Sequence, residues 1–307
     1  MYKKIIKVAT MKLGTGFGPF GKKPLYETLQ EIIDLGFDAL DFGLGREFCA
    51  ESEDKEFFTK VKEFCDKNGL WISQGHAPFV FGKNSYQFTT EEFIEKQKRA
   101  IKQASYLGIK WLVFHPYANY TPEGEPYVYN EEKKKFAFEN NIKFFKAIEP
   151  TLKEYGVNCA IENLANISWE GIHQHDYCST SKDLLELIDA LNDDIYGVCF
   201  DAGHANLMPE GSESTTEFIN NLGDKLKVLH LHDNFGWVSC WGGGCDRHLP
   251  PFMGAFPWKE LKTALIGIGF DGSFNFEVGN FAPNEEWRKI FTKQLYDLGR
   301  FILSDQF

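Results

Sequence analysis

Apolar residues recur along the chain in two alternating patterns. Runs of seven to nine residues are largely apolar at consecutive positions: IKVATMKL (6–13), ALDFGLG (39–45), WISQGHA (71–77), WLVFHPY (111–117), NCAIENL (158–164), YGVCFDAGH (196–204), VLHLHDN (228–234) and SFNFEVG (273–279). Such runs read as strands covered on both faces. Between them lie LYETLQEIIDLG (25–36), EEFIEKQKRAIKQASYLG (91–108), KDLLELIDAL (182–191) and WKELKTALIGIG (258–269), whose apolar residues recur every three or four positions, as one buried helix face requires. Several stop at glycine, and one opens on Thr180-x-x-Asp183, a start resembling a capping box.

Strand followed by helix, eight times over, predicts a (β/α)8 TIM barrel, and the repeat of about 35 residues matches that fold's size divided by eight. An open, doubly wound sheet is the competing architecture. The polar residues decide between them. Six of the eight runs reach His, Asp or Glu near their C-terminal end: His76, His115, Glu162, Asp201 with His204, His230 with Asp233, and Glu277. In a barrel these ends converge on one mouth, whereas an open sheet spreads them along an edge. No linker or shift in composition divides residues 1–307, so a single domain is expected.

Composition narrows the class. The chain has 307 residues, 43% of them hydrophobic, including 29 Phe, which is ample for a large core. It has no apolar run of about 20 residues to span a membrane, and the N-terminal MYKKIIKVATMKLG lacks the form of a signal peptide. The net charge of −11 opposes a broad nucleic-acid footprint while leaving room for a small phosphorylated ligand. Seven cysteines, an odd number with no CxxC pair, fit a reducing, cytoplasmic setting better than a disulfide framework. The spacing of Cys240 and Cys245 also suits a metal, but stronger ligand candidates exist.

Those candidates are the buried acids and imidazoles. IEN (161–163) and FEV (276–278) each place a glutamate inside an apolar strand, where an ionised carboxylate must be paired, protonated or bound to a cation. A structural ion pair is the simplest account of one such glutamate. The neighbouring strand ends, however, offer Asp201 and His230 with no Lys or Arg at comparable positions. Carboxylates and imidazoles converging without a cationic partner imply a cation from solution. FDAGHAN (200–206) sets Asp201 and His204 three residues apart across the turn leaving a strand, and HLHD (230–233) puts His230 and His232 on one strand face.

Other motifs have plainer readings. GFGPFG (16–21) matches a dinucleotide fingerprint in letters only, because Pro19 interrupts it, and it is expected to border the mouth. HQHD (173–176) is read as an exposed loop, and NEEKKKFAFE (130–139) as a solvated helix face. The connections 118–130, 165–179 and 235–257 are long enough to act as lids. Their Tyr117, Tyr120, Trp169, Trp237 and Trp241 suit either covering a sugar ring or packing the lid. GGGCDRHLPPFMG (242–254) delivers Asp246, Arg247 and His248 from a glycine-rich turn.

HAP (76–78), HP (115–116), IEN, FDAGHAN, HLHDN, LPPFMGAFPW (249–258) and FEVG (276–279) together resemble the xylose-isomerase-like barrels, which include sugar isomerases, epimerases and endonuclease-four-type AP endonucleases. The resemblance runs in order over nearly the whole chain. In the keto-sugar 3-epimerase branch it implies one divalent metal on Glu162, Asp201, His230 and Glu277, with the two glutamates also acting as acid and base. It further implies that His204 contacts substrate. Arg247 is the nearest match to that branch's substrate-binding arginine, though displaced along the chain. In the endonuclease-four branch it implies three zinc ions on His76, His115, Glu162, Asp201, His204, His230, Asp246, His248 and Glu277.

The expected function is therefore a metal-dependent sugar or sugar-phosphate isomerase or epimerase, working by proton abstraction next to a carbonyl through an enediolate. Substrate-binding candidates are His204, Arg247 and Trp237. The donor set suits Mn²⁺, Co²⁺ or Zn²⁺, one ion and up to three. A multi-zinc phosphodiesterase, a related lyase or dehydratase and a non-catalytic sugar-binding barrel stand as alternatives. The expected partner is a small sugar, without nucleic acid or membrane, and the sequence leaves the oligomeric state and the choice of sugar open.

Overall fold

The structure is a computed structural model that describes residues 11–45, 55–80, 82–117, 130–169, 172–175, 177–207, 211–236, 239–240 and 245–307. Eight parallel strands form its central sheet: β1 (Lys12–Thr15), β2 (Ala39–Gly43), β3 (Trp71–His76), β4 (Trp111–Phe114), β5 (Asn158–Glu162), and, after a β6–β7 insertion (Asn166–Trp169, Ile172–His175), β8 (Tyr196–Asp201), β9 (Leu226–His230) and, after β10 (Ser239–Cys240), β11 (Ser273–Phe276). The spatial order is β11-β1-β2-β3-β4-β5-β8-β9. The ends of that order meet through Leu231, whose N–H donates to the Asn275 carbonyl (2.9 Å) and whose carbonyl accepts from the Glu277 N–H (3.0 Å). The expected single-domain (β/α)8 TIM barrel is therefore the observed fold.

Helices α1 (Leu25–Leu35), α2 (Lys55–Lys67), α3 (Glu91–Tyr106), α4 (Glu131–Tyr155), α5 (Ser181–Leu191), α6 (Ala202–Asn206), α7 (Thr215–Leu222), α8 (Trp258–Ile268) and α9 (Glu285–Leu303) connect the strands. In α1 the buried residues Thr28, Leu29 and Ile32 make one stripe, and Gly36 ends the helix at φ 93°. The Thr180 hydroxyl caps α5 by accepting from the Asp183 N–H at 3.2 Å. A complete capping box occurs instead at Ser214 and Glu217 on α7.

Strand alternation divides the core in two. Leu112, Phe114, Cys159, Ile161, Val198, Phe200 and Leu229 join the large cluster shared with the helices. Their alternating neighbours Val113, Ala160, Cys199 and Val228 form a separate cluster inside the barrel. On β2, β3 and β11 the interior is polar instead, with buried Asp41, Gln74, Ser273 and Asn275.

The predicted strands run long at their C-terminal ends. FDAGH is not continuous strand, because β8 stops at Asp201 and α6 begins at once. Residues 6–10 of the first predicted run lie outside the described residues, and its described strand starts at Lys12. The 165–179 connection is not a plain loop: β6 and β7 pair antiparallel and β10 joins β6, giving a second, three-stranded sheet. HQH of the expected exposed loop thus forms β7. No described helix is long and apolar enough to cross a membrane.

Candidate metal centre

Period-2 alternation builds the site. Two positions beyond Gln74, Val113, Ala160, Cys199, Val228 and Asn275, on the same inward faces, lie His76, His115, Glu162, Asp201, His230 and Glu277. The six strand ends supply one chemistry-bearing side chain each.

Glu162 is the hub of this ring. Its Oε2 lies 3.4 Å from His76 Nε2, 3.3 Å from His115 Nε2 and 3.3 Å from His230 Nδ1. His230 Nδ1 is also 3.4 Å from Glu277 Oε2. One donor atom each from Glu162, Asp201, His230 and Glu277 falls within 4.8 Å of the others, and so does one each from His76, His115 and Glu162. Ligands around a tetrahedral zinc ion, with bonds of about 2.0 to 2.2 Å, stand roughly 3.3 Å apart. Glu162 Oε2 and His230 Nδ1 are buried and have no hydrogen-bond partner. Such orphaned atoms, all aimed at one volume, fit a divalent cation.

A second cluster stands on the first. The Asp201 side chain caps α6, its Oδ1 accepting from the His204 N–H at 2.7 Å, and both its oxygens lie 3.2 Å from His232 Nε2. His204 Nδ1 is held by the Asn163 carbonyl (2.8 Å), which turns Nε2 to Asp246 Oδ2 at 3.3 Å. His248 Nε2 reaches the same oxygen at 3.0 Å, and His248 Nδ1 donates to the Glu277 carbonyl at 2.9 Å. Asp246 Oδ1 and His232 Nδ1 are buried without hydrogen bonds.

Charge follows from these distances. Burial opposes ionisation of Glu162, but the neighbouring His115 and His230 outweigh it and hold the carboxyl well below its ordinary range. Burial is likewise outweighed at Asp246 by His204 and His232, which hold that carboxyl well down. Conversely, burial would depress His230 and His204, yet the surrounding acidic groups raise both well above the usual imidazole value. His248, also opposed by burial, is raised to about 10 by its contact with Asp246 and the charge of Glu277. His115 alone moves down, because its burial outweighs Glu162. Among the described residues no Lys or Arg pairs with Glu162, Asp201, Asp246 or Glu277, so imidazoles are the only side chains facing these carboxylates that can carry positive charge. Cys199 lies near Glu162 and His230, but burial keeps its thiol protonated.

A cavity of about 270 Å³ opens beside the cluster, walled by Gly16, Phe17, Gly18, His76, His248 and Glu277. GFGPFG therefore borders the mouth as its sequence suggests. A Cβ on Gly18 would stand 2.3 Å from the Val278 carbonyl oxygen, so this wall needs glycine for close approach. A larger hollow, about 630 Å³, lies by Asp189, Asp193, Asp194 and Lys225, beside residues that precede β8 and β9 at the opposite barrel end.

The structure thus brings together all nine imidazoles and carboxylates named from the sequence, although His204 sits on a helix rather than a loop. Arg247 is exposed between Asp246 and His248. Trp237, Tyr120, Trp241 and Asp176 lie outside the described residues, as do the side chains of Trp169, His173 and His175. Tyr117 packs edge-on against Phe88 and Phe136, with ring centroids 5.6 and 5.7 Å away. Cys245 is disulfide-bonded, which corrects the expectation of free thiols and removes its sulfur as a metal ligand; Cys65, Cys159 and Cys199 are free.

Sequence reading passed over one participant, Asp41, and named His232 and Asp233 without assigning them a role. Asp41 holds His230 Nε2 at 2.8 Å, and His232 touches Asp201. Asp233 accepts from the backbone N–H groups of Asn234 (2.9 Å), Phe252 (3.0 Å) and Phe256 (3.0 Å) and from the Trp258 indole (3.0 Å), anchoring the segment after His248.

The family model for the xylose isomerase-like TIM barrel matches residues 29–292. Protein MJ1311 of Methanocaldococcus jannaschii is 25% identical over 295 residues, 95% of this chain and 92% of its own. A probable endonuclease 4 of Mesomycoplasma hyopneumoniae is 27% identical over 291 residues, 90% and 93% of the two chains. D-psicose 3-epimerase of Enterocloster bolteae is 21% identical over 282 residues, 87% and 82% of the two. Among solved structures, an IOLI protein with a bound zinc atom aligns with TM-score 0.71 and 18% identity over 97% of this chain and 99% of that one. A D-tagatose 3-epimerase-like protein aligns with TM-score 0.67 and 22% identity over 96% and 100%. These two likenesses show the fold.

Proposed function

Because the chain belongs to the xylose isomerase-like TIM barrel family, we propose that it is a divalent-metal-dependent isomerase or epimerase of a small sugar or sugar phosphate, acting in the cytoplasm. The observation that carries this reading is the placement of two glutamates on one imidazole: Glu162 Oε2 and Glu277 Oε2 stand 3.3 and 3.4 Å from His230 Nδ1. Glu162, Asp201, His230 and Glu277 would hold the cation, taken as Mn²⁺, Co²⁺ or Zn²⁺. When bound, that cation supplies a Lewis acid for the negative charge developing on a carbonyl oxygen.

The proton chemistry belongs to the glutamates. Glu277 lines the cavity and its side chain is 34% exposed, whereas Glu162 is sealed at 1%. One carboxylate removes the proton next to the carbonyl and the other returns it from the opposite face, which inverts the carbon. His204 and His248 at the rim suit the orientation of substrate hydroxyls, with the exposed Arg247 between Asp246 and His248, and Trp237 is proposed as a further substrate contact. The bound zinc of the IOLI structure and the activity named for D-psicose 3-epimerase support the assignment by likeness.

A second reading rests on the Asp246 cluster and on the relative named probable endonuclease 4. With His76 and His115 serving one further ion and His204, Asp246 and His248 another, the chain would be a multi-metal phosphodiesterase. One experiment separates the two. Metal-loaded protein is incubated with ketoses and ketose phosphates in deuterated water, and in parallel with an abasic-site duplex. Deuterium at the carbon next to a carbonyl is the expected result. Duplex cleavage, steeply reduced by salt, with no deuterium in any sugar establishes the phosphodiesterase instead.

A further inference from the structure

One buried carboxylate belongs to no ligand set. Asp41 lies on β2 one layer below the ring of Glu162 and His230, 6% exposed and flanked by Leu40 and Phe42. All of its hydrogen bonds fall on one oxygen. Oδ2 accepts from His230 Nε2 (2.8 Å), from the Gln74 amide (2.9 Å) and, more weakly, from the Asn275 amide (3.4 Å), while Oδ1 is buried without a partner. Gln74 is fixed in turn, its amide also donating to the Leu229 carbonyl (3.1 Å) and its carbonyl accepting from the Ser273 hydroxyl (3.3 Å). The acceptor is therefore clamped from three strands before His230 is considered.

A clamped acceptor dictates the imidazole. With Nε2 donating to Asp41, a neutral His230 keeps its lone pair on Nδ1, the atom that faces Glu162 and Glu277 and has no hydrogen bond of its own. Three electron-pair donors then confront one another across the mouth, an arrangement that a cation reconciles. The geometry points to Asp41 as the positioning residue of the metal centre: its carboxylate sets the tautomer and ring angle of His230 and raises the basicity of Nδ1 toward the ion. Oδ1 is buried and Oδ2 is committed to His230, Gln74 and Asn275, so although Asp41 lies on the wall of the 270 Å³ cavity its carboxylate acts through His230. The inference rests on the reading that His230 ligates the cation.

The test measures Mn²⁺ and Zn²⁺ affinity by competition with a chromophoric chelator, without any assay of turnover. Asp41→Ala is expected to weaken binding about 10- to 100-fold. Asp41→Asn, which keeps an oxygen acceptor but not its charge, falls between that variant and wild type. Circular dichroism and thermal melting of the metal-free variants check the fold. Affinity within threefold of wild type in a folded Asp41→Ala protein overturns the inference and leaves the function reading standing. A crystal structure of the Mn²⁺-loaded wild type serves if that variant does not fold. His230 ligating through Nδ1 with Nε2 on Asp41 is expected. Ligation through Nε2, or Asp41 turned onto the ion, overturns this inference alone, and an ion that avoids His230 overturns both.

Discussion

His204 Nε2 stands 3.3 Å from Asp246 Oδ2, so a short helix at the end of β8 is tied to the glycine-rich segment that follows β10. The contact joins the part of the site held by a barrel strand to the part held by a loop. Asp246→Ala combined with His248→Ala should leave one ion per chain in the Glu162 ring while the Michaelis constant rises at least about tenfold, as loss of substrate positioning predicts. Elemental analysis beside steady-state kinetics checks it. A fall of one whole ion per chain assigns the upper cluster to a metal, and no change in either quantity removes both roles.

Glu162→Gln and Glu277→Gln keep shape while removing the base. Each should lower turnover by about 10²- to 10⁴-fold, the contribution expected of a positioned acid or base. Melting temperatures of the metal-loaded variants separate lost chemistry from lost structure. Turnover within tenfold of wild type for either variant excludes that residue from proton transfer.

Cation uptake should expel protons. His230 holds its proton above the ordinary imidazole range because acidic groups surround it, so at neutral pH an incoming ion must displace that proton to reach Nδ1. Apparent affinity should therefore rise with pH through neutrality. Titration calorimetry in buffers of different ionisation enthalpy should return about one proton released per ion. Heats independent of buffer contradict the charge assignment.

Asp233 offers a purely structural test. Removing its carboxylate with Asp233→Ala leaves the Phe252 and Phe256 N–H groups and the Trp258 indole without their acceptor. At about 1–3 kcal/mol for each of the two buried donors left unsatisfied, the Phe256 N–H and the Trp258 indole, a loss of at least about 2 kcal/mol is expected in denaturant unfolding. A loss under 1 kcal/mol would mean that water replaces the carboxylate.

The ring of six was legible because a strand's alternation is rigid: once IEN and FEV are seen as strand ends, the inward face follows two residues at a time. Asp41 carries the same mark, a carboxylate between Leu40 and Phe42, but sits inside its run, so inspection of strand ends passes it by. The partnership of His232 with Asp201 depends on Gly203. A Cβ there would come 1.8 Å from His232 Cε1, a relation set by folding and invisible along the chain. The β6–β7 hairpin escaped because NISW and IHQH are too polar and too short to read as buried strands. Asp201 as a helix cap was hidden by the unbroken apolar look of GVCFDAGH, in which only Gly203 hints at the turn.

The barrel is not sewn equally all round. Seven of its junctions are ladders, but β9 and β11 meet through Leu231 alone. His230 precedes that residue on one side, and on the other the Glu277 N–H donates to its carbonyl. A cation shared by His230 and Glu277 would therefore act as a rivet across the weakest join, turning an almost closed sheet into a hoop. Chelation should then loosen that join first, with the amides of Leu231 and Glu277 exchanging with solvent sooner than those of β5 and β8, so that the ion stiffens the very wall it would work against.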